Sequence, residues 1–317
     1  MNYSMGEKIK VTYAIPSYNH GPYIRNAIES ILHQTYHNIE VIVCDDGSTD
    51  ETDSILEEYQ KKRKITYIRN EKNLGVIENL SRLIDQASGE YICFLASDDW
   101  IRSDKVEKQL KYMLENELDA VFSPVIKYFE NTKEYVAVSG NEFVEIFKEK
   151  DGYLKHLYST DSNGGLIQSG MFRTECVKKI GYLQGYKSDD WLFEIRFLQA
   201  GYKAGWMNEN LTYYRIHGTN THVNAMYCLQ ELELPVIRDF IPKQYQNTIL
   251  ANVYAEAALK LIDQKETKKS LSLQIKSLRY RITFQNVKRF LKADIRRILI
   301  KLNLYKLYWK LRYKTEL

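Results

Sequence analysis

The sequence predicts an α/β protein, built as a mixed, mainly parallel sheet flanked by helices and followed by a helical C-terminal extension. Three observations predict it. Short apolar runs rich in β-branched residues alternate with helical-period segments of about a dozen residues, which is the pattern of βαβ units joined by right-handed crossovers. Two of those runs end in acidic pairs, Asp45-Asp46 and Asp98-Asp99. Beyond Lys265 the alternation gives way to a strongly basic segment.

The elements follow in order. Lys8 to Ile15 reads as a strand, ended by Pro16-Ser17-Tyr18-Asn19-His20-Gly21. Pro22 suits the first turn of a helix. From Tyr23 to Gln34, residues Ile24, Ala27, Ile28, Ile31 and Leu32 share one face at helical spacing. Ile39 to Cys44 is a second strand, with the continuous β-branched run of a buried parallel strand. It meets Asp45, Asp46 and Gly47, and the helix Glu51 to Lys62 follows. Asp50 and Asp53 have capping-box spacing, with Asp in place of Glu or Gln. Ile65 to Arg69 is a third strand, Asn73-Leu74-Gly75 a turn, and Val76 to Ala87 a third helix closed by Ser88-Gly89. Glu90 to Leu95 is a fourth strand that runs into Ala96-Ser97-Asp98-Asp99-Trp100.

Ile101 to Asn116 then reads as a helix. Asp119 to Glu130 and Tyr135 to Ser139 read as strands, Asn141 to Lys150 and Tyr153 to Tyr158 as short helices. Leu166 to Phe172 leads to a helix from Arg173 to Ile180. Lys187-Ser188-Asp189-Asp190-Trp191 opens a helix that runs to Ala200, and Tyr202 to Tyr214 carries a strand pair. Asn224 to Lys265 reads as two helices that break near Pro235 and Pro242.

In open α/β sheets, ligands bind outside the carboxyl ends of the strands. The second and fourth strands deliver Asp45/Asp46 and Asp98/Asp99 to one such edge. The bland reading of Asp45-Asp46 is a solvated β-α turn with capping carboxylates. Four converging carboxylates, however, repel one another unless a cation or a donor-rich ligand sits between them. Mg²⁺ or Mn²⁺ shared with substrate phosphates is the usual resolution. Neither GxxxxGK[ST] nor GxGxxG follows the first strand, which disfavours P-loop and dinucleotide chemistry. A nucleotide is expected to be held by acids, a metal and an aromatic.

The segments VTYAIPSYNHGPYIRNAIESILHQTYHNIEVIVCDDGSTDET, NEKNLG and GEYICFLASDD together resemble the family 2 glycosyltransferases, which have the GT-A fold. The resemblance runs over about residues 8 to 220. It implies that Tyr18 stacks on the donor base, that Pro16 and Asn19 shape the pocket, and that Asp46 accepts a hydrogen bond from a base N–H. It implies that the later acidic motif, commonly Asp-x-Asp, holds the ribose and the metal. Here Ala96-Ser97-Asp98 stands in that place. Asp98 is therefore expected as main metal ligand, with Asp99 nearby as a second one, and Mg²⁺ or Mn²⁺ as cofactor. Asp190 matches the family's catalytic base, with Asp189 in place of the usual Glu and Trp191 following, both expected near the leaving group or acceptor. A cap on the helix is the structural alternative for this pair. Tyr213-Tyr214-Arg215-Ile216-His217 matches a further family motif, so Arg215 and His217 are expected to offset charge on the leaving diphosphate. The remaining histidines, His20 among them, lack partner spacing and are assigned to structure or surface.

The resemblance implies a catalytic domain over residues 1–222, with a nucleotide-sugar half at about 8–100 and an acceptor half at about 101–222, and a basic extension over 223–317. The implied reaction is inverting transfer from an NDP-sugar, UDP-linked by expectation, to a glycan hydroxyl, on a lipid-linked acceptor in surface polysaccharide synthesis. The rivals are a nucleotidyltransferase on a similar sheet, which usually carries a basic glycine-rich loop where Pro16-Ser17-Tyr18-Asn19 stands, and a non-catalytic glycan or membrane adaptor. Net charge is only +4, so no polyanion partner and no nucleic acid is implied. The four cysteines have no metal spacing and are expected reduced and buried. Leu291, Ile295, Ile298, Leu302, Tyr305 and Trp309 form an apolar stripe with a basic opposite face. That stripe suits an anionic membrane surface, packing on the catalytic domain, or self-association. The expected location is cytoplasmic, peripheral at the inner face of the cell membrane.

Overall fold

The computed structural model describes residues 9–159, 166–181, 185–188, 190–218, 224–264, 266–281 and 290–291. It divides into two compact units, residues 1–155 with 165–218, and residues 156–164 with 219–317.

The first unit opens with β1 (Val11–Ser17), α1 (Gly21–Leu32), β2 (Ile39–Asp45), α2 (Thr52–Lys61), β3 (Thr66–Arg69), α3 (Val76–Gln86) and β4 (Tyr91–Phe94). It continues through β5 (Trp100–Ile101), α4 (Lys105–Glu115), β6 (Ala120–Phe122), β7 (Val125–Phe129), β8 (Glu134–Ala137), α5 (Asn141–Ile146) and α6 (Gly152–Leu157), whose last turn crosses into the second unit. It ends with β9 (Met171–Arg173), α7 (Thr174–Ile180), α8 (Asp190–Gln199), β10 (Ala204–Trp206) and β11 (Thr212–Ile216). Seven strands form the main sheet in the order β10-β6-β9-β4-β1-β2-β3. β1 lies between β2 and β4 and is parallel to both. β9 runs antiparallel to β4 and β6. The smaller sheet has the order β5-β11-β7-β8.

The core sits between the main sheet and its helices. Tyr13, Ile15, Val43 and Cys93 are fully buried with Ile24, Ile28 and Leu56 from α1 and α2. Each aliphatic side chain buried this way contributes roughly 1.5–3 kcal/mol. All four cysteines are buried and none is in a disulfide, and burial pushes the Cys44 thiol up to about 12.

Several elements differ from the sequence reading for physical reasons. β1 runs on through Pro16, which pairs with Cys44 of β2. Pairing with β4 has already stopped at Ala14 opposite Phe94, so Pro16 sits on a one-sided ladder, where its missing N–H is tolerated. Asp119 to Glu130 is not one strand: β6 and β7 belong to different sheets. Pro124 lies between them and cannot donate to a central ladder. Ile101 does not begin a helix but pairs with Thr212 in β5. The expected strand pair over Tyr202–Tyr214 is also redistributed, since β10 joins the main sheet and β11 the smaller one. The capping box fails because Asp53 accepts from the Tyr67 hydroxyl at 2.6 Å and Asp50 turns to the N-terminus of α1, where Gly21 N donates to it at 3.0 Å.

The second unit contains α9 (Ala225–Tyr227), a π-helical turn (Cys228–Glu233), α10 (Leu234–Phe240), α11 (Lys243–Asp263) and α12 (Thr267–Tyr280). Pro235 lies in the first turn of α10, and Pro242 separates it from α11. Ser270 and Ser277 donate to the Ala258 and Ala251 carbonyls at 2.7 and 2.6 Å, so small residues let α11 and α12 approach closely. No helix among the described residues is long and apolar enough to cross a membrane. The expected amphipathic stripe lies outside the described residues apart from Leu291, which is exposed.

Candidate nucleotide and metal site

Parallel pairing of β1 with both neighbours puts the ends of β1, β2 and β4 at one edge of the main sheet. The loops after β1 and β2 are laced together there. Asp46 N donates to the Ser17 carbonyl at 2.8 Å, Asn19 N to Ser48 Oγ at 2.8 Å, and Thr49 N to Asn19 Oδ1 at 2.8 Å. Asn19 adopts φ +50°, a left-handed conformation that Asn tolerates better than most residues. This lacing leaves the Tyr18 side chain 43% exposed, so its ring can take a stacking partner.

The acidic pair of the first turn is committed. Asp45 accepts from Ser48 N and Ser48 Oγ. Asp46 is 2% exposed. Its Oδ1 accepts from Asn70 Nδ2 at 2.9 Å and Leu74 N at 2.8 Å, and its Oδ2 from Gly75 N at 2.8 Å. Asp46 thus holds the 70–75 turn against the end of β2. A carboxylate has about four acceptor positions, so Oδ2 keeps capacity for one more donor.

The turn after β4 is closed by Asp99 N donating to the Ala96 carbonyl at 3.0 Å. Arg215 of β11 locks it. Its backbone N donates to Asp99 Oδ1 at 2.8 Å, its Nε to the Asp98 carbonyl at 2.7 Å, and its Nη1 to Glu130 Oε2 at 2.6 Å. The guanidinium also lies 4.6, 4.9 and 5.3 Å from the rings of Trp100, Tyr23 and Tyr128. Arg215 is 8% exposed, and its guanidinium meets a carboxylate, a carbonyl and three rings, contacts that position the turn after β4.

His217 follows β11 directly, and its Nε2 lies 2.8 Å from Asp98 Oδ2. His20 Nδ1 lies 2.7 Å from Ser97 Oγ. Tyr23 stacks on His217 at 5.0 Å and meets the His20 ring edge-on at 5.7 Å. His20, Asp98 and His217 each offer a ligand atom, all within 4.8 Å of one another. Burial works against the Asp98 carboxylate, but the His217 hydrogen bond and neighbouring His20 outweigh it and hold its pKa below the ordinary value. Burial lowers the pKa of His20, which favours the neutral imidazole that a metal requires.

Asp99, expected as a ligand beside Asp98, is not among these three clustered ligand groups. It is 1% exposed, and burial followed by the Asp98 charge drives its pKa well up. Its Oδ2 finds no hydrogen-bond partner among the described residues. The expected convergence of four carboxylates therefore reduces to one, joined by two imidazoles. His20 is the residue that sequence reasoning missed. Its signal was position alone, on the loop between the first strand and a Pro-initiated helix.

Asp190 is the first residue of α8, and its Oδ1 accepts from Trp191 N at 2.6 Å. α8 precedes β10, which is parallel to β6, so a helix returning from the carboxyl edge begins at that edge. Trp191 is fully buried and anchors the start of α8. Asp189 lies outside the described residues. One turn beyond Asp190, fully buried Glu194 accepts from the Tyr153 hydroxyl at 2.5 Å and from Leu166 N.

A βαβ sheet with laced loops at its carboxyl edge, an Asp–His cluster on the turn after β4 and an acid opening α8 define a GT-A glycosyltransferase arrangement. The chain belongs to glycosyl transferase family 2, whose family model matches residues 12–175, and it is an enzyme of the transferase class. Among curated relatives, glycosyltransferase GlyA of Streptococcus pneumoniae serotype 4 is 29% identical over 213 residues, which are 65% of this chain and 30% of that protein. The chain thus spans about a third of GlyA. Two solved structures share the fold at 18% identity. The mannosyltransferase PcManGT of Pyrobaculum calidifontis, in complex with GDP-Man and Mn²⁺, aligns with TM-score 0.58 over 95% of this chain and 82% of its own. S. aureus TarS 1-349, in complex with UDP-GlcNAc, aligns with TM-score 0.54 over 95% and 92%.

Proposed function

We propose that this chain is an inverting glycosyltransferase that moves a sugar from a nucleoside-diphosphate donor, UDP-linked by family resemblance, to a glycan hydroxyl in surface polysaccharide synthesis. The observation that carries the reading is the Asp98–His217 pair, set by Arg215 on the turn after β4, beside the laced loops that carry Tyr18, Asn19 and Asp46. Donors bound by PcManGT and TarS, GDP-Man and UDP-GlcNAc, support a nucleotide-sugar.

In this reading the base stacks on Tyr18 in a pocket shaped by Pro16 and Asn19, and a base N–H meets the remaining acceptor position of Asp46 Oδ2. Asp98 and His217 would hold Mg²⁺ or Mn²⁺, which when bound neutralises diphosphate charge. The donor set fits such an ion, since a carboxylate and an imidazole nitrogen are both common ligands. Asp190 takes the proton of the acceptor hydroxyl as it attacks the anomeric carbon. Attack from the face opposite the diphosphate inverts that carbon in one displacement. The acceptor is proposed to be lipid-linked, met at an anionic membrane surface through the basic C-terminal stretch; failure of the full chain to float with anionic vesicles would remove that part.

The test is product analysis with UDP- and GDP-sugars and the Asp190→Asn variant. Transfer or slow donor hydrolysis is expected in the wild type. In Asp190→Asn the rate should fall by about 10²–10⁴-fold, with donor affinity kept. Full turnover in that variant removes Asp190 from the chemistry.

A further inference from the structure

We propose that His20 is a direct ligand of the divalent cation, so that the site is a two-histidine, one-aspartate set selective for first-row transition ions over Mg²⁺. This deepens the metal-dependent donor reading above and rests on it. The ligand atoms of His20, Asp98 and His217 all lie within 4.8 Å of one another, close enough for one ion to bind all three. The turn after β4 supplies a single carboxylate to this cluster, because Asp99 is not part of it and Ala96 has no side-chain ligand atom. His20 supplies the missing position from a different loop.

The backbone of His20 is fixed, as a ligand's should be. Its N donates to Thr52 Oγ1 at 2.9 Å, and its carbonyl accepts from Tyr23 N and Ile24 N, both at 2.9 Å. The ring is fixed as well. Metal-bound histidines usually donate the other ring N–H to an oxygen acceptor, which sets the tautomer. Ser97 Oγ, 2.7 Å from His20 Nδ1 and buried, is such an acceptor, and Nε2 then carries the lone pair. Tyr23 packs against both imidazoles, so one side chain aligns the two rings. Imidazole-rich sets suit Mn²⁺, Co²⁺ and later ions better than Mg²⁺, which favours oxygen ligands. Three protein ligands leave positions open for diphosphate oxygens and water.

The experiment is calorimetric titration of Mn²⁺, Co²⁺ and Mg²⁺ into the full chain with UDP present, together with the visible spectrum of the Co²⁺ form. Mn²⁺ and Co²⁺ should bind at least about 10-fold more tightly than Mg²⁺. His20→Gln should weaken both by about 10-fold or more and shift the Co²⁺ spectrum, while metal-free UDP affinity and the melting temperature stay at wild-type values. Ser97→Ala should weaken Mn²⁺ by a smaller factor through the lost orientation of the ring. Unchanged Mn²⁺ affinity and Co²⁺ spectrum in His20→Gln, with loss of binding in Asp98→Asn, would overturn the proposal and leave the metal-dependent reading standing. A wild-type chain that binds UDP but no divalent cation would overturn both.

Discussion

Asp99 and Glu194 are buried carboxyls whose pKa values burial drives well above the ordinary range, yet the two are supported differently. Asp99 is backed by Arg215 through one backbone N–H. Glu194 is bonded on both oxygens, by Tyr153 and by Leu166 N, and the nearby Asp190 charge adds to the upward push. The neutral form of Glu194 is the folded-state form over the lower part of the pH scale. Because its folded pKa is raised, its stabilising contribution is complete below the unfolded value of about 4.3 and is lost as pH rises toward the folded value. Glu194→Gln keeps the acceptor for Leu166 N and can donate to Tyr153 Oη, but does not titrate. The variant should melt close to wild type near pH 4 and increasingly above it as pH rises from there toward the folded value. Thermal melts across that range check this; a gap that is constant, or that closes with rising pH, would contradict it. At this scale the sequence was least legible. Glu194 reads as a polar residue among several in the mixed helix α8, and His20 as a loop histidine, because their partners lie far along the chain. Arg215 and Trp191 were found by motif, but a motif does not say whether a side chain faces a substrate or its own scaffold.

At the scale of elements, apolar periodicity was enough for β1 to β4 and α1 to α3, because β1, β2 and β4 are largely buried runs, β3 pairs alongside β2 at the sheet edge, and each helix shows one apolar face. The turn Asn73-Leu74-Gly75 was visible from its residue types, and its reason is now plain: its N–H groups cap Asp46, while Gly75 takes φ +92°. The readings that failed depend on pairing between distant segments. Two-residue β5 exists because Trp100 stacks on Tyr213 at 5.0 Å and Ile101 pairs with Thr212. A strand that short has no period of its own. The split between β6 and β7 was signalled by Pro124, but which sheet each half joins is a tertiary matter.

For the whole molecule, the legible feature was topological: two strands parallel to β1 on either side bring two acidic turns to one edge. The chemistry of that edge was only half legible. The acids were plain in the sequence, but three of the four serve the scaffold or lie behind the ligand turn, and histidines from the first loop and from the end of β11 complete the cluster around the fourth. The central claim is that a diphosphate is held at this cluster, with its base against the laced loops after β1 and β2. A crystal structure of the full chain grown with Mn²⁺ and UDP tests it most directly. The account predicts anomalous metal density bonded to Asp98 and His217 and to the diphosphate, with the uracil against Tyr18 and Asp46. Nucleotide bound elsewhere, or bound at this edge with the Asp98–His217 hydrogen bond intact and no metal between diphosphate and protein, would contradict it.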